Sequence, residues 1–493
     1  MGQKSLPGGK LIMFAARDFF TLNEAADIIG GSAFPASRGG ELLSQGFKTD
    51  NRNVDSGDVF IAIKGARVDG HDYITSAADD GASCVMLDRS YFEAHREKLE
   101  GCGVMLLVSE NASEGAAILA RAWLDAVSPK VIGITGSVGK TTTREFIYAV
   151  LKRHFRTHSA IKSYNTLIGS SMTILAMPRD TEILILELGA NHSGEIKTLV
   201  ERFPVTHGVI TEVTHAHIEG FGSIEGVLEA KMEMAESGIL EYLSYNSDND
   251  MLTSAVSRMP NGEKVKKGGI KQVGVGYSNF GVRISDVRQS VDSSFVPALS
   301  VALSRGERKL SCSSPVFGRQ HAKNIAFAYA VSVQMGLDDD VFLREASSFE
   351  LPAGRGSLRR AKNDCLVIDE TYNANPSSVS HAIKNILELE TPGDYRRIAI
   401  LGGMRELGTE AAHWHDVILN RASLLDEIYL IGAEWGGANA AIASLRGVWE
   451  SASQMTRDFD FSSLSRSVIL VKGSRFYELE AIMPCFDGER YED

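Results

Sequence analysis

The stretch VIGITGSVGKTTTR (131–144) constrains the fold more than any other segment. Its apolar, β-branched start (131–135) predicts a buried strand. A tight glycine turn, Gly136-Ser137-Val138-Gly139, leads into Lys140, Thr141 and Thr142 and then the helical pattern EFIYAVL (145–151). Strand, glycine loop, Lys-Thr and helix together make a phosphate cradle. Loop and helix-start N–H groups converge on one spot, the lysine adds a point charge, and a threonine hydroxyl suits Mg²⁺. The common spacing G-x-x-x-x-G-K-[ST] would put glycine where Ile134 stands, so the chain carries the shorter G-x-x-G-K-T-T. The alternative, a bare strand–turn–helix junction, gives Lys140 and the threonines after it no purpose.

With 493 residues the chain is too long for one ordinary domain, and its size suggests about three. No apolar run approaches the ~20 residues that span a bilayer, so no membrane insertion is expected. The start, MGQKSLPGGKLIMF, has no apolar core followed by a small-residue cleavage site, and Leu6 breaks the myristoylation pattern; Met13 offers an alternative start. A net charge of −12 argues against general nucleic-acid affinity, while leaving room for a local anion site. Five scattered cysteines without a C-x-x-C pair fit unpaired thiols in a reducing cytoplasm.

Before the cradle, TLNEAADIIGG reads as a helix capped by Thr21 and Glu24 and closed by Gly30-Gly31. A polar segment (47–58), the strand VFIAIKG (59–65), the helix 73–82 and the strand CVMLD (84–88) make a small α/β domain. On spacing alone Asp50, Arg52 and His71 read as solvated turn residues. Past Ser128-Pro129, a hinge candidate, strands at 131–135, 182–188 and 207–211 alternate with helices at 143–154, 194–203 and 223–236. Such alternation predicts a parallel sheet, with ligands at the carboxyl ends of its strands. Glu187 ends one strand, where a carboxylate suits Mg²⁺, although a solvent-facing charge is the alternative. His217 lies in the next loop and Lys231 on the following helix. Alone, the first reads more readily as a surface histidine than as a ligand, and the second as a solvated lysine. Segments between 240 and 316 read as an antiparallel β insertion. Asn324 opens an apolar helix, either facing a nucleotide base or capping the helix. From about 341, LPAGRG (351–356) forms a turn around Arg355, and CLVIDETYNANPSS, RRIAILGGM, EIYLIG and SVILVKGSR supply strands of a Rossmann-like unit without G-x-G-x-x-G.

Taken together, TGSVGKTTT, ELGANHSGEI (187–196), AHIEGFGSIEGVLEAKMEM (216–234), the segment ending at Asn324 and GRG around Arg355 resemble the Mur ligase family, ATP-dependent amide-forming enzymes. DGHDYI, YNANPSS, LGGMRELG and VKGSR resemble the branch that joins D-Ala-D-Ala to UDP-MurNAc-tripeptide. The resemblance implies an α/β fold in three domains. These are a small N-terminal α/β domain binding the UDP-sugar (1–127), a central P-loop parallel-sheet ATPase domain with an antiparallel β insertion (128–340), and a C-terminal Rossmann-like domain (341–493). It implies ATP on Gly136, Ser137, Val138, Gly139, Lys140, Thr141, Thr142, Asn324, Arg355, Asp369, Tyr372, Asn373 and Asn375. It implies two Mg²⁺ ions held by Thr141, Glu187, His217 and Lys231, the lysine as a CO₂-derived carbamate, with Lys140 catalytic beside Glu187, His217 and Lys231. Asp50, Arg52, Asn165, Thr166 and Asn191 fall on the substrate side. A cytoplasmic monomer is expected, its outer domains closing about hinges near Ser128-Pro129 and 337–345.

The chain departs from the family pattern at several places. Gly403 replaces an acid in L-G-D-M, Glu370 follows Asp369, and Thr166 replaces an asparagine. Gln320-His321 replaces His-Asn, and Asn51 replaces the serine of D-S-R. Two alternatives stay open: a paralogue joining another carboxylate and amine, and a nucleotide-binding protein without turnover.

Overall fold

The computed structural model describes residues 19–487 apart from 45, 66–67, 161–163, 215–217, 260–268, 279–280, 293, 392 and 437–441. His217 therefore lies outside the described residues. The chain divides into two compact units. One runs to Ile132 and includes Phe155–Leu188 and Thr198–Pro204; the other holds Gly133–His154, Gly189–Lys197 and the chain from Val205 on.

In the first unit, β1 (Ser32–Phe34), β2 (Phe47–Lys48), β3 (Val59–Ile61), β4 (Cys84–Asp88) and β5 (Met105–Ser109) form a sheet in the order β1-β5-β4-β3-β2. Only β1 runs antiparallel to its neighbour. The helix Leu22–Ile29 begins with the expected capping box of Thr21 and Glu24 and ends at Gly30, whose φ of 64° is the left-handed conformation glycine accepts freely. His71 corrects its reading as a solvated turn residue. It is 3% exposed, its Nδ1 lies 2.6 Å from Asp69 Oδ1, and its Nε2 accepts from Asp88 N. Those partners let a polar ring be buried without an unpaired nitrogen.

The second sheet comprises β6 (Lys130–Thr135), β7 (Thr157–Ser159), β8 (Ile183–Glu187), β9 (His207–Ile210), β10 (Tyr242–Asn246), β11 (Lys271–Gly276), β12 (Val282–Val291), β13 (Pro297–Arg305) and β14 (Arg308–Ser314). In the first unit the start of β6 meets β8, which pairs parallel with β7. In the second unit the order is β14-β13-β12-β11-β10-β9-β6. The antiparallel insertion is smaller than its sequence suggests. β10 and β11 continue the parallel sheet with the helix Asp250–Ser257 between them, and only β12, β13 and β14 pair antiparallel. The hinge expected at 337–345 is largely occupied by the helix Asp339–Ala346, which buries Phe342 and Ala346.

The third sheet, also in the second unit, holds β15 (Ser357–Ala361), β16 (Cys365–Glu370), β17 (Arg396–Gly402), β18 (Glu427–Ile431), β19 (Leu445–Trp449) and β20 (Ser467–Lys472), ordered β15-β16-β20-β17-β18-β19. All but β15 are parallel. Leu366 and Ile368 of β16 enter one core and Cys365 and Val367 another, so the strand is covered on both faces, as parallel strands require. The five cysteines form no disulfide. No helix among the described residues is long and apolar enough to cross a membrane.

Candidate active site

In the second unit the glycine loop joins β6 to the helix Lys140–Leu151, which starts three residues before the expected 143 because the loop closes on Gly139. Gly136 and Gly139 have φ of 142° and 85°, a region that side-chain-bearing residues avoid. Space excludes other residues as well: a Cβ on Gly136 would overlap Thr211 Oγ1, and one on Gly139 would lie 2.9 Å from Asn324 Oδ1. The segment after β9 fastens the loop. Thr211 Oγ1 donates to Val138 O at 2.6 Å, Ser137 N donates to Glu212 O, and Thr214 N donates to Ser137 Oγ. Lys140 Nζ folds back onto Gly136 O at 2.6 Å, and Thr141 and Thr142 are buried at the helix start. This fits a phosphate group: the loop is held in one conformation, its lysine lies over it, and the helix N-terminus adds positive potential.

Asn324 is not a helix cap. It sits inside the first turn of the helix His321–Gln334, where its Oδ1 accepts from Thr143 Oγ1 at 3.1 Å and its Nδ2 donates to His321 Nδ1 at 3.1 Å. Burial, helped by the nearby Arg355 charge, pulls the His321 imidazole down to about 3, so it stays neutral. Arg355 lies 4.1 Å above the Tyr372 ring, between glycines 354 and 356 at φ of 71° and 104°. Asp369 Oδ1 accepts from the backbone and hydroxyl of Thr371. Asn375 caps the helix Pro376–Leu387, and Asn373 O accepts from Lys472 Nζ. Lys472 also pairs with Glu370 at 2.8 Å, both side chains under one-tenth exposed. Arg355, Asp369, Tyr372, Asn373 and Asn375 are thus gathered at the carboxyl end of β16.

Lys231 is the clearest departure from its bland reading. It is 2% exposed, and its Nζ lies 5.2 Å from the Phe221 ring centroid. Burial, and then the positive charge of Lys140, pull its ammonium down to about 7, with Glu233 and Glu195 opposing. Glu233 also accepts from Gly194 N and Lys197 N, while Asn191 is exposed with its N–H donating to Glu195 Oε2.

The first unit carries the other predicted residues. Glu187 ends β8 and is 2% exposed, which removes its solvent-facing alternative. Thr166 caps the helix Leu167–Leu175 and Asn165 is half-buried. Asp50 caps a 3₁₀ turn and pairs with the exposed Arg52 at 2.7 Å. The sequence reading missed Thr211, although it directly follows a strand end. It also missed the network in which Glu212 accepts from Asn246 and Asn249 while Lys323 pairs with Asp248 at 3.1 Å.

Residues 45–123 match the family model Mur ligase family, catalytic domain; 134–332 match Mur ligase middle domain; and 354–475 match Mur ligase, glutamate ligase domain. The chain is 30% identical over 456 residues to the UDP-N-acetylmuramoyl-tripeptide–D-alanyl-D-alanine ligase of Bacillus subtilis, covering 90% of this chain and 93% of that one. The MurF ligase of Thermotoga maritima in complex with ADP superposes with a TM-score of 0.76 at 26% identity, covering 91% of this chain and 98% of that one. The fold also matches MurF of Acinetobacter baumannii, with a TM-score of 0.81 at 22% identity over 96% and 99% of the two chains. Three domain types, N-terminal, central ATPase and C-terminal, thus follow one another along the sequence. The chain belongs to the Mur ligase family.

Proposed function

We propose that this chain is an ATP-dependent C–N ligase that joins D-Ala-D-Ala to UDP-MurNAc-tripeptide, yielding the pentapeptide precursor of peptidoglycan. The observation that carries the reading is one unit holding both a Lys-Thr glycine loop and a buried lysine whose ammonium sits near 7. End-to-end similarity to the Bacillus subtilis enzyme supports the choice of substrates. We set the domain boundaries after residues 127 and 340, and the reaction in the cytoplasm, which suits five unpaired thiols.

The loop N–H groups with Lys140, Thr141 and Thr142 hold the ATP phosphates. Asn324, Arg355, Asp369, Tyr372, Asn373 and Asn375 form the rest of the nucleotide side. The tripeptide carboxylate oxygen bonds to the γ-phosphorus as its bond to ADP breaks. The dipeptide amine nitrogen then bonds to the acyl carbon, gives up a proton, and inorganic phosphate leaves. Lys140 offsets the repulsion between carboxylate and phosphate. Asp50 and Arg52 take the uridine end, and Asn165, Thr166 and Asn191 the acceptor side. Thr141, Glu187, His217 and Lys231 would hold two Mg²⁺ ions, which would supply further charge neutralisation. Lys231 would join that set as a carbamate: its neutral amine would add to CO₂ and lose one proton, giving an anion suited to a hard cation. Its burial supports this role, because an ordinary lysine near neutral pH is almost wholly protonated and unreactive.

The test is phosphate release from ATP with UDP-MurNAc-tripeptide and a panel of amines. Release that requires D-Ala-D-Ala supports the proposal. Release with another acid–amine pair makes the chain a paralogue, and no release with any pair removes the ligase reading. Lys231→Ala is expected to lose activity and regain part of it with short carboxylic acids; full activity without them overturns the carbamate.

A further inference from the structure

The resemblance puts an acid where Gly403 stands, and the surroundings of Gly403 hold a carboxylate from elsewhere in the chain. Glu434, just past β18, reaches across to β17: a Cβ on Gly403 would lie 2.7 Å from Glu434 Oε2 and 3.0 Å from Tyr477 OH. Gly432 (φ 115°) is similarly tight, its Cβ position being 2.5 Å from Tyr477 OH. Two glycines therefore clear room at adjacent strand ends for one carboxylate and one phenol. Tyr477 OH donates to Glu434 Oε2, and Arg405 Nη1 donates to Glu434 Oε1. The Arg405 guanidinium also stacks 4.2 Å above the exposed Phe476 ring. Glu434 is 17% exposed and Arg405 46%, so the guanidinium is held by Glu434, Tyr477 and the Phe476 face while still meeting solvent. A guanidinium fixed in this way loses little freedom on receiving a second anion.

The position bears on the reaction. Arg405 lies at the carboxyl end of β17, and the loop it begins runs to Gly408, whose Cβ position lies 4.0 Å from Glu219 Cβ. Glu219 belongs to the helix Ile218–Phe221, which carries the Phe221 ring beside Lys231. We infer that Arg405 receives the free carboxylate of the incoming amine substrate, with Glu434 as its positioning residue in place of an acid at 403. This rests on the proposed ligation, whose second substrate carries an amine at one end and a carboxylate at the other. The outer guanidinium edge matches that carboxylate in a two-bond fork, and Glu434 sets its direction.

The experiment compares D-Ala-D-Ala with its C-terminal amide, which keeps the nucleophile and loses the charge. The wild type is expected to prefer the acid at least tenfold in kcat/KM. In Arg405→Ala that ratio falls towards one, with the loss for the acid lying in KM. Arg405→Lys keeps part of the preference, since an ammonium retains charge without the fork. Glu434→Gln, which preserves shape, lowers the ratio to an intermediate value while Arg405 is intact. Circular dichroism verifies that each variant is folded. Equal losses for acid and amide, or an unchanged ratio in Arg405→Ala, overturn the inference while leaving the ligation intact. A wild type inactive with D-Ala-D-Ala refutes the ligation itself, and the inference with it.

Discussion

Replacing Lys231 with methionine should make this protein more stable at neutral pH while removing its activity. Methionine keeps an unbranched apolar stem and deletes a buried ammonium. The ammonium is held down to about 7, against about 10.5 for an unperturbed lysine. Between those values the unfolded chain binds the proton more tightly than the folded one, so wild-type stability rises with pH across that window. At pH 7 almost the whole difference acts against folding. A gap of roughly 3.5 pKa units at 1.36 kcal/mol each gives about 4 kcal/mol after allowing for half-protonation of the folded lysine. Losing the ammonium's contact with Phe221 returns about 1 kcal/mol. The variant should therefore gain about 3 kcal/mol at pH 7 and almost nothing near pH 10.5. Chemical denaturation of both proteins from pH 7 to 10.5, in CO₂-depleted buffer with a chelator, measures this. Taking the difference cancels every other group that titrates in that range. A variant no more stable than wild type at pH 7, or a gain that does not shrink with pH, would refute the argument that burial sets the charge of Lys231.

Two further outcomes follow from buried polar groups. His321, neutral and held near 3 against about 6.5 when unfolded, should cost stability as pH falls from 6.5 towards 3, because there the unfolded chain binds the extra proton. His321→Gln keeps an acceptor for Asn324 and should remove up to about 4 kcal/mol of that acid sensitivity, read as the difference between the two denaturation-versus-pH curves; parallel curves would count against it. Lys472→Met leaves Glu370 buried without its partner and should destabilise by about 3–5 kcal/mol, whereas Glu370→Met with Lys472→Met should recover most of that loss. Strictly additive losses in the double variant would contradict the pairing.

The elements legible in the sequence are those whose pattern is local. The strand Cys84–Asp88 stands at its expected bounds, and the strands Arg396–Gly402, Glu427–Ile431 and Ser467–Lys472 lie within theirs, because unbroken apolar runs are the signature of strands buried on both faces. β15 and β19 went unread: SLRRA and LRGVW lie at the sheet's edges, only partly buried, and carry charged residues that blur any period. β11 was read as antiparallel, and β10 went unnamed inside the same expected insertion, because a short alternating run does not reveal the direction of its neighbour.

The site divides along the same line. Gly136, Gly139, Lys140 and Thr141 announce a phosphate cradle from sequence, since the left-handed glycines and the helix start are properties of adjacent residues. Asn324 read as a cap or a base contact until Thr143 and His321 were seen to hold its amide inside the helix. Gly403 read as a missing acid until Glu434, thirty-one positions on (434 − 403), was found in its space. On spacing alone Lys231 read as a solvated helix lysine, and only its surroundings show it buried. By itself the sequence determined the strand–loop–helix cradle and the chemistry offered to a phosphate, because backbone geometry and side-chain type are local, while the order of the three domains came from its resemblance to a family. The burial of Lys231 and the lowering of its pKa, the anchoring of Asn324 and the carboxylate beside Gly403 were decided only by tertiary structure. Desolvation and charge–charge interaction depend on distance in space, and residues far apart in the chain set that distance.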